Sequence, residues 1–120
     1  MRLAGMVAVI GALAAGPVAA EMPAEPFGAF SELANRCGAI HRLTTRCAGR
    51  DLFIQASYMR RSFFRWAERE GVSTEQTQAL EDAWYRGAEG VNADACPRSA
   101  AEEIDFRNRA LSAFADCSGD

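Results

Sequence analysis

The sequence predicts an all-α fold: a four-helix bundle-like domain with two disulfides, preceded by a cleavable signal peptide. Three observations lead there. Beyond residue 26, apolar residues recur every three or four positions through four segments, with little strand-like alternation. Serine-led capping boxes and glycine stops separate those segments. An even set of cysteines, Cys37, Cys47, Cys96 and Cys117, follows an N-terminal stretch built like a secretory signal.

That stretch supplies Arg2 as a positive start, an uncharged apolar run from Leu3 to Ala15, a Gly16-Pro17 break, and small residues through Ala20. This three-part plan predicts cleavage after Ala20. A membrane anchor needs about 20 strongly apolar residues, and this run is shorter and rich in alanine and glycine. The expected organisation is therefore a signal peptide over 1–20, an extended linker over 21–26 with two prolines, and one helical domain over 27–120.

The first helix is expected over 27–48. Phe27, Phe30, Leu33, Ala34, Cys37, Ile40, His41, Thr44 and Cys47 fill one arc, and Gly49 stops it. The second is expected over 51–70, on a stripe of Leu52, Ala56, Met59, Phe63 and Trp66 widened by Phe53 and Phe64. Gly71 supplies its left-handed terminator. Ser73 and Gln76 form a capping box that opens a third helix reaching Gly90, with Leu80, Ala83, Trp84, Gly87 and Ala88 inward. A loop over 92–98 carries Cys96. A second box, Ser99 with Glu102, then opens a helix to Asp116, with Ile104, Leu111 and Phe114 as its core stripe and Phe106, Ala110, Ala113 and Cys117 alongside. Short connections favour up-down-up-down topology, with contacts mostly between chain neighbours.

Helix length restricts the cysteine pairing. Cys37 and Cys47 lie about 15 Å apart along one helix axis, beyond the roughly 7 Å that a disulfide spans between Cα atoms. Cys96 and Cys117 flank the last helix and are separated in the same way. The bonds then join the first helix to the ends of the fourth. Antiparallel first and fourth helices favour Cys37–Cys117 with Cys47–Cys96; the parallel alternative is Cys37–Cys96 with Cys47–Cys117. A zinc site built from Cys37 and His41 is the competing use of these thiols. It lacks the close cysteine pairs usual in structural zinc motifs, and neither a CxxC nor a CxxCH sequence occurs. No cofactor is expected.

All basic residues are arginine, which with abundant alanine points to GC-rich bacterial coding and hence a periplasmic or secreted destination. Residues 21–69 hold eight arginines against five acids; residues 70–120 hold four against eleven. The acidic balance argues against nucleic acid as a partner, and no later run is long enough for stable membrane insertion.

Catalytic signatures are missing. His41 is the single histidine, and no nucleophile elbow, HExxH or phosphate-cradling glycine loop occurs. The outer face of the second helix offers Ile54, Tyr58, Arg61 and Arg65, residue types that commonly anchor interfaces. Arg42, Arg46 and Arg50 form a row on the first helix that could extend it as an anionic-ligand surface. These features point to a non-enzymatic module that contacts another exported or envelope protein, as inhibitors, immunity proteins and small chaperones do. Two other readings remain: a small hydrolase using a carboxylate pair in a cleft, and a ligand-carrying bundle marked by an apolar cavity.

Overall fold

The computed structural model describes residues 21–47, 50–92 and 96–119, without the side chains of 50 and 51. The expected signal peptide and the Gly49 stop lie outside the described residues. Four helices are present: α1 (Ala24–Cys47), α2 (Arg50–Arg69), α3 (Thr74–Glu89) and α4 (Ala100–Ser118). Among the described residues there is no strand.

Helix α1 begins three residues before the expected start, and the expected 21–26 linker is largely structured. Met22 is buried, and its backbone N–H donates to Gln76 Oε1 at 2.9 Å while its carbonyl accepts from Gln76 Nε2 at 2.9 Å. Gln76 also accepts from Ser73 N–H at 3.0 Å, and Ser73 Oγ accepts from Gln76 N–H at 3.1 Å, completing the expected box. One amide thus caps α3 and fastens the chain ahead of α1. Glutamate would cap equally but has no donor for the Met22 carbonyl. The second box is only half formed. Ser99 Oγ accepts from Glu102 N–H, but Glu102 Oε1 accepts from Arg98 N–H rather than from Ser99. Gly71 takes φ 105° and ends the turn after α2, as expected.

The packing order departs from simple succession. The most extensive contacts join α1 to α3 and α2 to α4, whereas α2 and α3 barely approach through their backbones. Small residues explain the α1–α3 contact: Ala34, Gly38, Ala83 and Gly87 are all buried. A Cβ built on Gly38 would lie 2.7 Å from the Trp84 carbonyl carbon, and one on Gly87 would lie 2.7 Å from that of Asn35. The helices therefore meet backbone to backbone. Asn35 Nδ2 donates to the Ala83 carbonyl across the same crossing at 3.3 Å.

Both helices start beside the Met22–Gln76 tie and meet again about twelve residues on, roughly 18 Å along each axis, so they run in the same sense. Helices α2 and α3 are kept apart by rings. Trp84 sits 5.5 Å from both Phe63 and Phe64, and Phe30 packs on Phe63 and Trp66. Phe53, expected to widen the buried stripe, is half exposed; it precedes Phe64 by three turns and falls short of this ring cluster.

The disulfides join Cys37 to Cys117 and Cys47 to Cys96, with Cα separations of 6.0 and 5.2 Å. They hold α1 antiparallel to α4, as alternation requires. Helix α4 departs from the expected setting at Ile104 and Leu111. Ala110, Phe114 and Cys117 face inward, while Ile104 (63% exposed) and Leu111 (40%) face out. The Cys37–Cys117 bond pulls the Cys117 face onto α1, and Ala110 and Ala113 on that face permit the approach. Ile104 and Leu111 lie roughly a quarter-turn or more away from it.

Candidate interaction surface

Helix α2 buries Leu52, Ala56, Met59, Phe63 and Ala67 along one side. On the other side Ile54 is 47% exposed and Tyr58, one turn later, is 59% exposed. The Arg61 guanidinium carbon lies 5.5 Å from the Tyr58 ring centroid, a cation–π placement that covers the ring and pre-orients the charge. Arg65 is exposed one turn further on. The four residues expected to form an outer patch therefore share one accessible helix face.

Next to it lies the outward side of α4. Gln55, Tyr58, Met59 and Ser62 line a shallow cavity of about 210 Å³ together with Phe114, Ala115 and Ser118. Trp66 in turn abuts Gly119. Residue numbers rise together on both helices, so α2 and α4 run in the same sense. Leu111, one turn before Ala115, is then level with Ile54, one turn before Tyr58. Sequence reasoning missed the α4 contribution because Ile104 and Leu111 were expected in the core.

The arginine row does not extend this surface. Arg42 and Arg46 follow Asn35 by seven and eleven residues, which puts them on the α1 side that meets α3 one to three turns earlier, away from the α2 outer face. Arg42 is half-buried and Arg46 exposed; the Arg50 side chain lies outside the described residues. Arg42 contributes instead to the surroundings of His41, whose ring packs 5.6 Å from Trp84. Partial burial, then Arg60, then Arg42 lower the His41 pKa from its ordinary 6.5. Arg60 itself lies over Phe64 and Trp84, at 5.1 and 5.6 Å.

Two cavities open along the α1–α4 seam. One, of about 220 Å³, is lined by Ile40, Leu43, Thr44, Pro97, Phe106 and Ala110, with Glu102, Asp105 and Arg109 at its rim. The two carboxylates are exposed and already engaged, Glu102 with Arg98 N–H and Asp105 with Arg109 Nε at 3.0 Å. The other, of about 400 Å³, is a mostly apolar trench beside the Cys37–Cys117 bond, bounded by Leu33, Ile40 and Ala113, with Arg36 and Asp116 at its edge. Because Cys37 is bonded to Cys117, it is not available to join His41 as a zinc ligand. Among the described residues no group of three or more potential ligands converges for a metal, and no helix is long and apolar enough to cross a membrane. No protein family, curated protein or solved structure matches the chain.

Proposed function

We propose that this protein is a small exported binding module, periplasmic or secreted, that acts by contact with another exported or envelope protein through the outer face of α2. The observation that carries this reading is the pairing of Ile54 and Tyr58 on an accessible face, with Arg61 laid over the tyrosine and Arg65 beside it. Leaving Ile54 and Tyr58 about half exposed forgoes on the order of 1 kcal/mol of burial each, and tyrosine and arginine dominate the energetic centres of interfaces. Two disulfides suit an oxidising compartment. Both carboxylates at the α1–α4 rim are exposed and already engaged by Arg98 N–H and Arg109, which weighs against the hydrolase reading.

Pull-down from an envelope fraction tests the proposal, comparing the oxidised protein with a Tyr58→Ala/Arg61→Glu variant. A partner retained by the first and lost by the second is expected; identical partner sets would remove the α2 face from consideration. The apolar trench beside Cys37–Cys117 favours a second reading, a carrier of a small apolar ligand. Its mark would be displacement of a bound apolar dye that the Ala113→Trp variant no longer takes up.

A further inference from the structure

The charges along the α1–α4 seam fall into two groups. Ile40 lines both the trench beside Cys37–Cys117 and the neighbouring cavity, so the two open onto one wall of α1. From Leu33 to Leu43 that wall extends roughly 15 Å and faces Ala113, Ala110 and Phe106 of antiparallel α4. At the Phe106 end the rim charges are satisfied: Asp105 holds Arg109, and Glu102 accepts from Arg98 N–H. At the Cys37–Cys117 end stand Arg36 and Asp116, on opposite walls, as the charged residues that line the trench. Among the described residues neither of them forms a hydrogen bond or an ion pair. Arg36 also borders a shallow depression against α3, where Glu32 and Arg86 stand.

From this arrangement we infer that the seam binds a single-chain zwitterionic amphiphile. Its alkyl chain lies along Ile40 towards Phe106, and its head bridges the trench, phosphate to Arg36 and ammonium to Asp116. The inference rests on the carrier reading of the trench and adds the chemistry of the head and the direction of the chain. Pockets that are mostly apolar with a few polar groups fix the orientation of what they hold, and guanidinium is suited to phosphate. A fatty acid would meet Arg36 but set its carboxylate against Asp116, and a cationic amphiphile would meet the reverse conflict. Allowing roughly 30 Å³ for a group the size of water or a methylene, the trench of about 400 Å³ holds about a dozen such groups. That is the bulk of one medium-length chain, not of the paired chains of a membrane phospholipid.

The test uses the oxidised protein loaded with phenylnaphthylamine, a neutral apolar dye. The competitors, all below their micelle thresholds, are dodecylphosphocholine, dodecanoate and dodecyltrimethylammonium. Dodecylphosphocholine is expected to displace the dye about tenfold more effectively than either singly charged homologue. Its octyl analogue should be weaker by about tenfold or more, because each methylene withdrawn from water adds affinity. Arg36→Gln should cost dodecylphosphocholine about tenfold while leaving dye uptake and melting unchanged. Asp116→Asn should raise dodecanoate to the level of the zwitterion, and Glu32→Gln, on the other side of Arg36, should change nothing. Dye uptake with the three dodecyl compounds competing equally, or an Arg36→Gln variant indistinguishable from the parent, would leave the carrier reading standing and overturn the zwitterionic head. No dye uptake, or uptake untouched by Ala113→Trp, would overturn both. Cosedimentation with phosphatidylethanolamine vesicles that dodecylphosphocholine does not compete away would overturn the choice of a single free amphiphile.

Discussion

Adding one methyl group to Gly38 should destabilise this protein although it improves the helix. In an exposed helix interior, glycine to alanine gains about 0.8–1 kcal/mol from restricted backbone entropy in the unfolded chain. At Gly38 the new carbon would lie 2.7 Å from the carbonyl carbon of Trp84 and 2.9 Å from its Cα. Ordinary carbon contacts are about 3.5–4.0 Å, so α1 and α3 must separate by roughly 1 Å. The obstacle is backbone and cannot swing aside. A gap of that size forfeits a quarter to a half of each facing dispersion contact, and overpacking of this kind costs about 1–3 kcal/mol or more. Subtracting the propensity gain leaves a net loss of up to about 2 kcal/mol. Neither disulfide shields against it, because both join α1 to the segments before and within α4 and leave α3 held by packing.

Urea unfolding of the oxidised protein measures this, with Gly28→Ala as the internal control. Gly28 lies in the same helix with no atom within 4 Å of its would-be Cβ, so its variant should be more stable than the parent by up to about 1 kcal/mol. Gly87→Ala should resemble Gly38→Ala. The double variant should cost less than the two single losses combined, since one separation of the helices accommodates both methyl groups. A Gly38→Ala midpoint at or above that of the parent would refute the backbone-to-backbone crossing.

The disulfides enclose nested loops with separations of 80 and 49 residues; chain entropy assigns them together about 8 kcal/mol, and loss of either alone about 3–4 kcal/mol. Reduction should therefore bring the protein close to its unfolding threshold, read as a large fall in melting temperature, and unchanged melting after full reduction would contradict this assignment. For His41, the folded-state pKa lies below the ordinary 6.5, so the unfolded chain takes up the proton first. Its contribution is then fully present above about pH 6.5 and is lost as pH falls from there through the folded-state value. His41→Phe, which keeps a ring against Trp84, should flatten that part of the stability–pH curve, and a parallel curve for the two proteins would exclude the histidine as its cause.

The number of helices and the cysteine pairing were legible because they depend on local spacing and on the length of a helix. Ten residues of helix separate Cys37 and Cys47 too far to bond, and alternation then selects between the two remaining pairings. The exposure of Ile104 and Leu111 on α4 was not legible. Phe114, Ala110 and Cys117 face inward as expected, whereas Ile104 and Leu111 are strong apolar signals that fall outside that arc. Which arc wins is decided by contact with α1, which no window of the sequence contains. The α1–α3 crossing has the same origin. Gly38 and Gly87 are 49 positions apart, and only their meeting turns a poor helix residue into a close contact. Gln76 announced its cap but not its bonds to Met22, 54 residues away. The exposure of Ile54 and Tyr58 was legible from periodicity, while that of Ile104 and Leu111 was hidden by the stripe expected to bury them.

The uneven charge of the chain also resolves into faces. In the sequence, a basic first half and an acidic second half invite the explanation that the halves attract one another during folding. Arg36 and Asp116, at opposite walls of the trench between α1 and α4, are consistent with that. Arg60 is used differently, its guanidinium lying over the rings of Phe64 and Trp84, and Asp105 pairs with Arg109 within its own helix. Attraction between halves therefore accounts for only part of the pattern. Arg61 and Arg65 point away from the acidic side of α4 and contribute nothing evident to the core, yet they flank exposed Ile54 and Tyr58. Charged residues that merely solvate a surface need no apolar neighbours at helical spacing. Arginines set beside a tyrosine and an isoleucine left half exposed are arranged as an interface would require, and the proposed contact face rests on that conjunction rather than on the charge itself.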